Sequence, residues 1–217
     1  MYQDLNEISD GKIYGINDMV RVATGECAGC HACCEDMGES ILVDPYDAWQ
    51  LEKNLGKTFE QLLAESLELG MSDGMILPHL RMSEKNNCCS FLNEEGRCTI
   101  HSFRPGICRL FPLGRIYEED GISYFLQTDG CKKEGRSKVK VSRWLDTPEL
   151  KKYQQFLMDW HAFWKQMAGI LCDTTDEQTV KTITMFLLHT FYRNAYDTDR
   201  DFYEQFYERL EQIKKVL

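Results

Sequence analysis

Cysteine is the residue type in this 217-residue chain that most clearly predicts chemistry. Nine of the ten cysteines fall between Cys27 and Cys131, and four of these lie in the stretch Cys27-Ala-Gly-Cys30-His31-Ala-Cys33-Cys34. A Cys-x-x-Cys pair lets two sulfurs converge on one metal ion. Zinc takes four ligands in a tetrahedron, whereas an iron–sulfur cubane takes thiolates at four corners, often three from a compact motif and one from afar. The spacing therefore predicts a metal centre and leaves iron–sulfur and zinc both open.

The later cysteines come at wider intervals, and Cys88 is an extra thiol beside Cys89. Four early and four late thiolates would complete two sites of four ligands, or one cluster and a second centre. The candidate metal ligands are Cys27, Cys30, Cys33, Cys34, Cys89, Cys98, Cys108 and Cys131. Because neighbouring side chains in an extended chain point apart, Cys33 and Cys34 could serve different sites. The sequence leaves open whether Cys88, His31 or His101 also ligates a metal.

Three arginines stand close to these cysteines in the sequence, Arg97, Arg104 and Arg109. We expect them to donate hydrogen bonds to thiolate sulfurs, a role that tunes metal affinity and reduction potential. The tenth cysteine, Cys172, has no neighbouring thiol. We expect it to be a buried apolar side chain rather than a ligand.

Charge and composition restrict the class of protein. With 43% hydrophobic residues the chain can bury a core without cross-links, and its formal charge of −10 argues against a nucleic acid partner. The acidic, polar start has no signal-peptide pattern, and no apolar run reaches the roughly 18 residues of a membrane span. We therefore expect a cytoplasmic protein with no membrane partner, in which reduced cysteines bind metal rather than form disulfides.

Capping signals and hydrophobic periodicity predict the elements that hold the thiols. Asp44-Pro45 opens a helix that closes at Gly56, and the capping box of Thr58 and Gln61 opens a second that closes at Gly70. Asp120-Gly121 predicts the turn of a hairpin. The basic stretch 132–140 is expected to be a linker or a surface loop.

Helical periodicity dominates the last third of the chain. Leu150, Tyr153, Phe156 and Trp160 recur at spacings of three and four, and similar patterns run through 176–196 and 201–217. The predicted fold class is α+β. We expect a metal-stapled, loop-rich domain over 1–147 with a small antiparallel hairpin, packed on a helical subdomain over 148–217.

As a set, the cysteine motifs resemble those of the CxxCxxCC cysteine-cluster family, often called the YkgJ family of zinc- or iron-chelating proteins. The matching stretches are Cys27-x-x-Cys30-x-x-Cys33-Cys34, Cys89-Ser-Phe-Leu92, Gly96-Arg-Cys98-Thr-Ile100 and Arg104-Pro-Gly-Ile-Cys108-Arg-Leu-Phe-Pro112. The chain departs from the usual pattern at His31, where glycine is usual, and at His101, where tyrosine is usual. The resemblance covers roughly 27–131 and implies one or two thiolate-ligated metal centres.

Three functions remain open at this stage. The first is a metal-binding protein that acts in metal handling or electron transfer. The second follows from the flagellin lysine N-methylases, which resemble this family in their cysteine region and so imply an iron–sulfur enzyme that modifies a protein or peptide. The chain has no glycine-rich S-adenosylmethionine loop and no CxxxCxxC motif, and its catalytic residues are unknown. The third is an interaction protein held together by structural zinc.

Overall fold

The computed structural model describes residues 5–23, 30–128, 130–131 and 135–216. Cys27 and the first part of the predicted 132–140 loop lie outside these ranges. The helices are α1 (Leu5–Ile8), α2 (Pro45–Leu55), α3 (Phe59–Glu65), α4 (Gly106–Leu110), α5 (Val141–Leu145), α6 (Leu150–Asp173), α7 (Glu177–Leu188) and α8 (Phe202–Lys214). The strands are β1 (Ser9–Tyr14), β2 (Met19–Ala23), β3 (Leu67–Ser72), β4 (Met75–Leu80), β5 (Leu113–Glu118), β6 (Gly121–Gln127) and β7 (Arg136–Lys140). The predicted α+β class is confirmed.

The strands form three small antiparallel sheets, in the orders β1-β6-β5, β2-β7 and β3-β4. The predicted β5–β6 hairpin is present, and because Glu118 pairs with Gly121 its two-residue turn lies one residue before the predicted Asp-Gly position. The surface loop expected at 132–140 is wrong for its second part, since Arg136–Lys140 is β7. Val139 pairs with Val20 and packs on the small core beneath β2. One valine among basic residues gives too little alternation to predict that strand.

Both predicted helix starts are confirmed. Asp44 Oδ1 accepts a hydrogen bond from Asp47 N at 2.8 Å, and Gly56 ends α2 with a left-handed φ of 63°. The capping box at Thr58 is also formed. The prediction that the second helix continues to Gly70 is wrong, because α3 ends at Glu65 and the chain turns into β3.

The β3–β4 hairpin depends on a turn at Asp73 and Gly74, which the prediction of a helix up to Gly70 did not take into account. Asp73 and Gly74 both have positive φ, at 47° and 80°, and Ser72 pairs with Met75 around them. This is the conformation that two-residue hairpin turns favour, with Asp-Gly as a preferred sequence. The hairpin places Leu67 and Leu80 opposite each other as fully buried side chains. Burial of Leu67 in this hairpin thus outweighs the helical spacing that predicted it as part of the second helix.

Aromatic packing joins the long C-terminal helices to α2. Phe156 on α6 is fully buried, and its ring centroid lies 4.8 Å from that of Phe206 and 5.4 Å from that of Phe202, both on α8. Tyr46 on α2 extends this cluster, with its ring 5.2 Å from that of Phe202. The main core therefore contains residues from both sides of the proposed boundary at 147/148, which stays a prediction. None of the described helices is both long and apolar enough to cross a membrane.

Candidate metal centre

Six cysteines from three separate segments line one cavity of about 880 Å³. Cys33 and Cys34 come from the short 3₁₀ turn Ala32–Cys34, and Cys108 comes from α4. Cys89 and Cys98 come from the irregular chain between β4 and α4. Cys30 also lines the cavity. The fold thus brings six of the eight predicted ligands to a common space.

Backbone hydrogen bonds fasten the early thiol segment to the later one. Cys89 N donates to Cys34 O at 2.8 Å, and Asp36 N donates to Asn87 O at 3.0 Å. Within the later segment, Thr99 N donates to Phe91 O at 2.9 Å, so Cys89 and Cys98 lie on two antiparallel arms. Ile100 and Phe91 are buried and anchor these arms to the main core.

Cys33 and Cys34 both line the same cavity, whereas the sequence left open that the two could serve different sites. The 3₁₀ turn curls this stretch, so the two side chains converge rather than alternate. The Cys34 thiol donates a hydrogen bond to the Cys33 sulfur, which is the largest contribution lowering the Cys33 pKa to about 7. The same bond raises the pKa of Cys34. The protein itself therefore favours the anionic form of Cys33.

Burial and mutual repulsion raise the pKa of three further thiols in the cavity, those of Cys89, Cys98 and Cys108. Burial is the main cause at Cys89, Cys98 and Cys108, and each also carries an unfavourable interaction with Cys33 as an anion. Backbone amides partly oppose this, since Phe91 N–H donates to the Cys89 sulfur and Ile100 N–H to the Cys98 sulfur. A bound cation would relieve the repulsion and favour the thiolate forms.

The helix that carries Cys108 is tied to α2 through its first residue. Gly106 N donates to the buried Asp47 Oδ1 at 2.9 Å. A Cβ at Gly106 would collide with the Tyr153 hydroxyl, so the motif glycine permits the close approach of α6. Asp47 also raises the pKa of Cys108, after burial itself. Asp47 lies outside the cysteine motifs; its sequence signal is a carboxylate in the first turn of α2, a helix in which most residues are buried.

The three predicted arginines have different surroundings. Arg104 lines the cavity, interacts favourably with the Cys33 and Cys98 sulfurs, and bonds His101 Nε2 through Nη1 at 2.6 Å. Arg97 is exposed at the cavity rim. Arg109 directs Nε, Nη1 and Nη2 to the carbonyl oxygens of Arg104, Asp146 and Ser102. Arg109 therefore holds the backbone behind α4 instead of facing the sulfurs.

The remaining candidates lie apart from the sulfur cluster or are engaged with other groups. His31 Nε2 lies 3.1 Å from Glu35 Oε1, and the His31 ring packs on Gly96. The Cys88 thiol contacts Glu35 Oε1 at 3.8 Å and Asn86 O at 3.4 Å. Cys131 is half-buried and is not among the cavity-lining residues. Cys172, expected to be buried, is exposed at the end of α6.

The donor chemistry of the cavity suits a thiophilic metal. Thiolates are the ligands that zinc and iron–sulfur clusters prefer. Within the ranges that the structure describes, no group of three or more Cys, His, Asp or Glu side chains is arranged to hold a single metal ion. What the described cysteines share is the cavity that they line.

Comparison with known proteins agrees with this donor set. A family model described as "CxxCxxCC: Putative zinc- or iron-chelating domain" matches residues 26–132. Searches of curated proteins and of solved structures found no significant match. The matched stretch contains all nine clustered cysteines. Residues 26–132, just under half of the chain, are thus similar to the CxxCxxCC family of zinc- or iron-chelating domains.

Proposed function

We propose that the cavity holds one thiolate-ligated metal centre, and that this centre is an iron–sulfur cluster. The observation that carries the proposal is that one cavity is lined by six cysteines, Cys30, Cys33, Cys34, Cys89, Cys98 and Cys108. Two separate sites of four ligands would divide these thiols between two locations. Their mutual repulsion as anions instead indicates one common centre.

The origin of the thiols, a compact early motif with partners from two distant segments, favours a cluster over a single ion. Four thiolates around one zinc ion must lie within contact of each other, since each is about 2.3 Å from the metal. Thiolates at the corners of an iron–sulfur cubane stand farther apart.

The residues of the proposed centre divide into metal ligands and groups that stabilise thiolate charge. Cys33, Cys89, Cys98 and Cys108 would supply the four thiolates, one or two from each segment, and Cys34 would stabilise the Cys33 anion by its hydrogen bond. The amides of Phe91 and Ile100 and the Arg104 guanidinium would compensate thiolate charge, which tunes the potential of a bound centre. When bound, an iron–sulfur cluster supplies one-electron transfer. We assign electron transfer as the function of the domain on this basis.

The test is anaerobic purification followed by metal and sulfide analysis and a visible spectrum. We expect iron and acid-labile sulfide in similar amounts, broad charge-transfer absorption, and bleaching on addition of dithionite. A colourless protein with stoichiometric zinc would contradict the cluster and the electron-transfer function, and would favour structural zinc.

The neighbouring residues Cys88 and Cys89 offer a matched pair of variants. Cys89→Ser removes a thiol that lines the cavity and should abolish most of the metal content. Cys88→Ser removes a thiol that contacts Glu35 and Asn86 instead, and should leave metal content unchanged. Equal metal loss in both variants would contradict the assigned ligand set.

A further inference from the structure

The outer face of the β2–β7 sheet concentrates positive charge in a chain whose formal charge is −10. Directly paired residues of an antiparallel sheet point to the same face, so Arg21 and its partner Lys138 lie side by side. Lys140 and Arg136 point to that face as well, two residues away on either side along β7. All four residues are exposed, and we call them the basic face.

The alternation of burial along β2 fixes which side of the sheet is turned to solvent. Val20 and Val22 are fully buried, and Val139 packs with them in the core that contains Leu110 of α4. Since side chains alternate across a strand, Arg21 points to the opposite side. The basic face is therefore the solvent side of a sheet whose inner side is anchored to α4.

Within the part of the chain that the structure describes, none of these four cations has a carboxylate partner. No described Asp or Glu oxygen lies within 4.0 Å of their side-chain nitrogens. Their side chains make one hydrogen bond to the described residues, a long one from Arg136 Nη2 to Thr128 O at 3.4 Å. Among these residues, the positive charge is thus uncompensated at close range.

The carboxylates next to the basic face are engaged locally. Asp10 and Asp18 line an open surface cleft together with Arg21. Asp18 Oδ2 accepts a hydrogen bond from Gly15 N at 2.7 Å, and Asp10 accepts one from the Tyr14 hydroxyl. These bonds hold the two carboxylates in and just after β1, so neither of them neutralises the basic face.

Positive charge on this face is costly unless an anion covers it. Two cations directly opposite each other in a sheet repel and destabilise the pairing. Solubility does not require cations here, because the chain has 35 Asp and Glu against 25 Lys and Arg. An external anion would relieve the repulsion and interact favourably with several cations at once. The basic face is therefore suited to an acidic ligand.

The spacing of the cations indicates the shape of that ligand. Arg136, Lys138 and Lys140 occupy alternate positions of β7, so they recur about every 6.8 Å along the strand. Acidic side chains at every second position of an extended peptide recur at the same interval. We propose that the basic face docks an extended acidic segment of a partner protein. Alternate carboxylates of the segment pair with the cations of β7 and with Arg21, and Met19, 52% exposed, lies beside them as an apolar contact.

The net charge of the chain favours a short acidic segment over a nucleic acid. A long polyanion extends beyond the basic face and meets the repulsion of an acidic protein, whereas a short segment stays within a Debye length, about 10 Å, of the four cations. None of the four lines the metal cavity, so the inference does not depend on the proposed metal centre.

The experiment measures binding of a fluorescein-labelled peptide of alternating glutamate and threonine, long enough to span β7, to the full metal-loaded chain by fluorescence anisotropy. A peptide of alternating glutamine and threonine is the uncharged comparison. At low ionic strength we expect the glutamate peptide to bind at least about tenfold more tightly than the glutamine peptide. Its affinity should fall as salt is added, whereas repulsion by the net charge alone would make the affinity rise with salt.

The double variant Arg21→Glu/Lys138→Glu reverses the central pair of the basic face. It keeps two like charges opposite each other, so the free energy of unfolding should change little, while glutamate-peptide binding should weaken by about tenfold or more. Lys165→Glu/Lys181→Glu makes the same change in net charge at exposed lysines of α6 and α7 and should bind as the parent does. Lys138→Gln, with an expected loss of about threefold, gives a second measurement if the reversed variant folds poorly.

The outcomes separate a docking face from general electrostatics. Loss of peptide binding in Arg21→Glu/Lys138→Glu, with binding retained in Lys165→Glu/Lys181→Glu, supports the proposal. Equal losses in the two double variants, or an affinity that rises with salt, would overturn it. Undetectable peptide binding by the parent would overturn it too; if the parent instead binds single-stranded oligothymidine or phosphatidylglycerol-containing vesicles, the basic face belongs to a nucleic acid or a membrane surface.

Discussion

Asp47 Oδ1 accepts a hydrogen bond from the Gly106 backbone N–H at 2.9 Å and so joins α2 to the helix that carries Cys108. The two residues are 59 positions apart in the chain, and both are buried. Because α2 is itself packed in the main core, this bond sets the position of α4 against the core. The proposed metal ligand Cys108, two residues after Gly106 in α4, is thus oriented by a carboxylate outside the cysteine motifs.

Replacement of Asp47 should lower both the stability of the protein and its metal content. Asp47→Ala leaves the Gly106 N–H buried without an acceptor, and we expect the free energy of unfolding to fall by about 1–3 kcal/mol. Metal content should fall as well, because Cys108 is less firmly positioned. Asp47→Asn retains an oxygen acceptor and should lie close to the parent in both measurements, by denaturant unfolding and metal analysis. Equal losses in the two variants would argue against the hydrogen bond as the cause.

Gly96 should be intolerant of alanine for a local reason. Its φ is +69°, and an added Cβ would lie 2.6 Å from His31 Nδ1. Gly96→Ala should therefore lower the free energy of unfolding by about 1–3 kcal/mol, by backbone strain and displacement of the His31 ring.

Gly169 provides the matched control for that substitution. It lies within α6, and an added Cβ would meet no atom within 4 Å. Gly169→Ala should raise the free energy of unfolding by about 0.5–1 kcal/mol, because alanine has the higher helix propensity. Urea denaturation of both variants measures the contrast, and a destabilised Gly169→Ala would contradict the assigned open surroundings.

Glu52 should make stability depend on pH. Burial raises its pKa to about 6, although its Oε1 accepts a hydrogen bond from Phe59 N at 2.9 Å. The folded state holds the Glu52 proton more tightly than the unfolded state does. The protonated carboxyl therefore contributes fully to the free energy of unfolding below about pH 4.3, the ordinary pKa of glutamate, and this contribution is lost as pH rises through 6. Glu52→Gln should therefore lose less stability between pH 4 and 7, by about 1–2 kcal/mol. Parallel pH titrations of the two proteins by thermal unfolding measure the difference.

Removal of the metal should loosen the cysteine segments more than the helices. The chain between β4 and α4 has few regular elements, and it is fastened to the early thiols by single hydrogen bonds such as Cys89 N to Cys34 O. A loss of about 3 kcal/mol would lower the unfolding temperature by about 6–12 °C for a chain of this size. Hydrogen exchange after chelation should accelerate at 83–104 and change little in α6. Uniform acceleration along the chain would mean that the metal stabilises the whole fold instead.

Local sequence signals determined much of the fold. The caps at Asp44 and Thr58 and the periodicity of α6 each act within one or a few turns, so neighbouring residues suffice to predict them. The strand at 136–140 could not be predicted this way, because its partner β2 lies more than a hundred residues earlier. The same applies to β3, where hairpin pairing replaced a plausible helical continuation.

The sequence by itself determined that this protein carries a metal-chelating cysteine cluster, because the types and spacings of the thiols are sufficient for that inference and the family match agrees. Only the tertiary structure decided which thiols meet. The 3₁₀ turn directs Cys33 and Cys34 into one cavity. Arg109 donates to backbone carbonyls, and Arg115 lines the cavity although no motif predicts it there. Convergence of side chains from distant segments depends on packing and burial, which one-dimensional spacing does not encode.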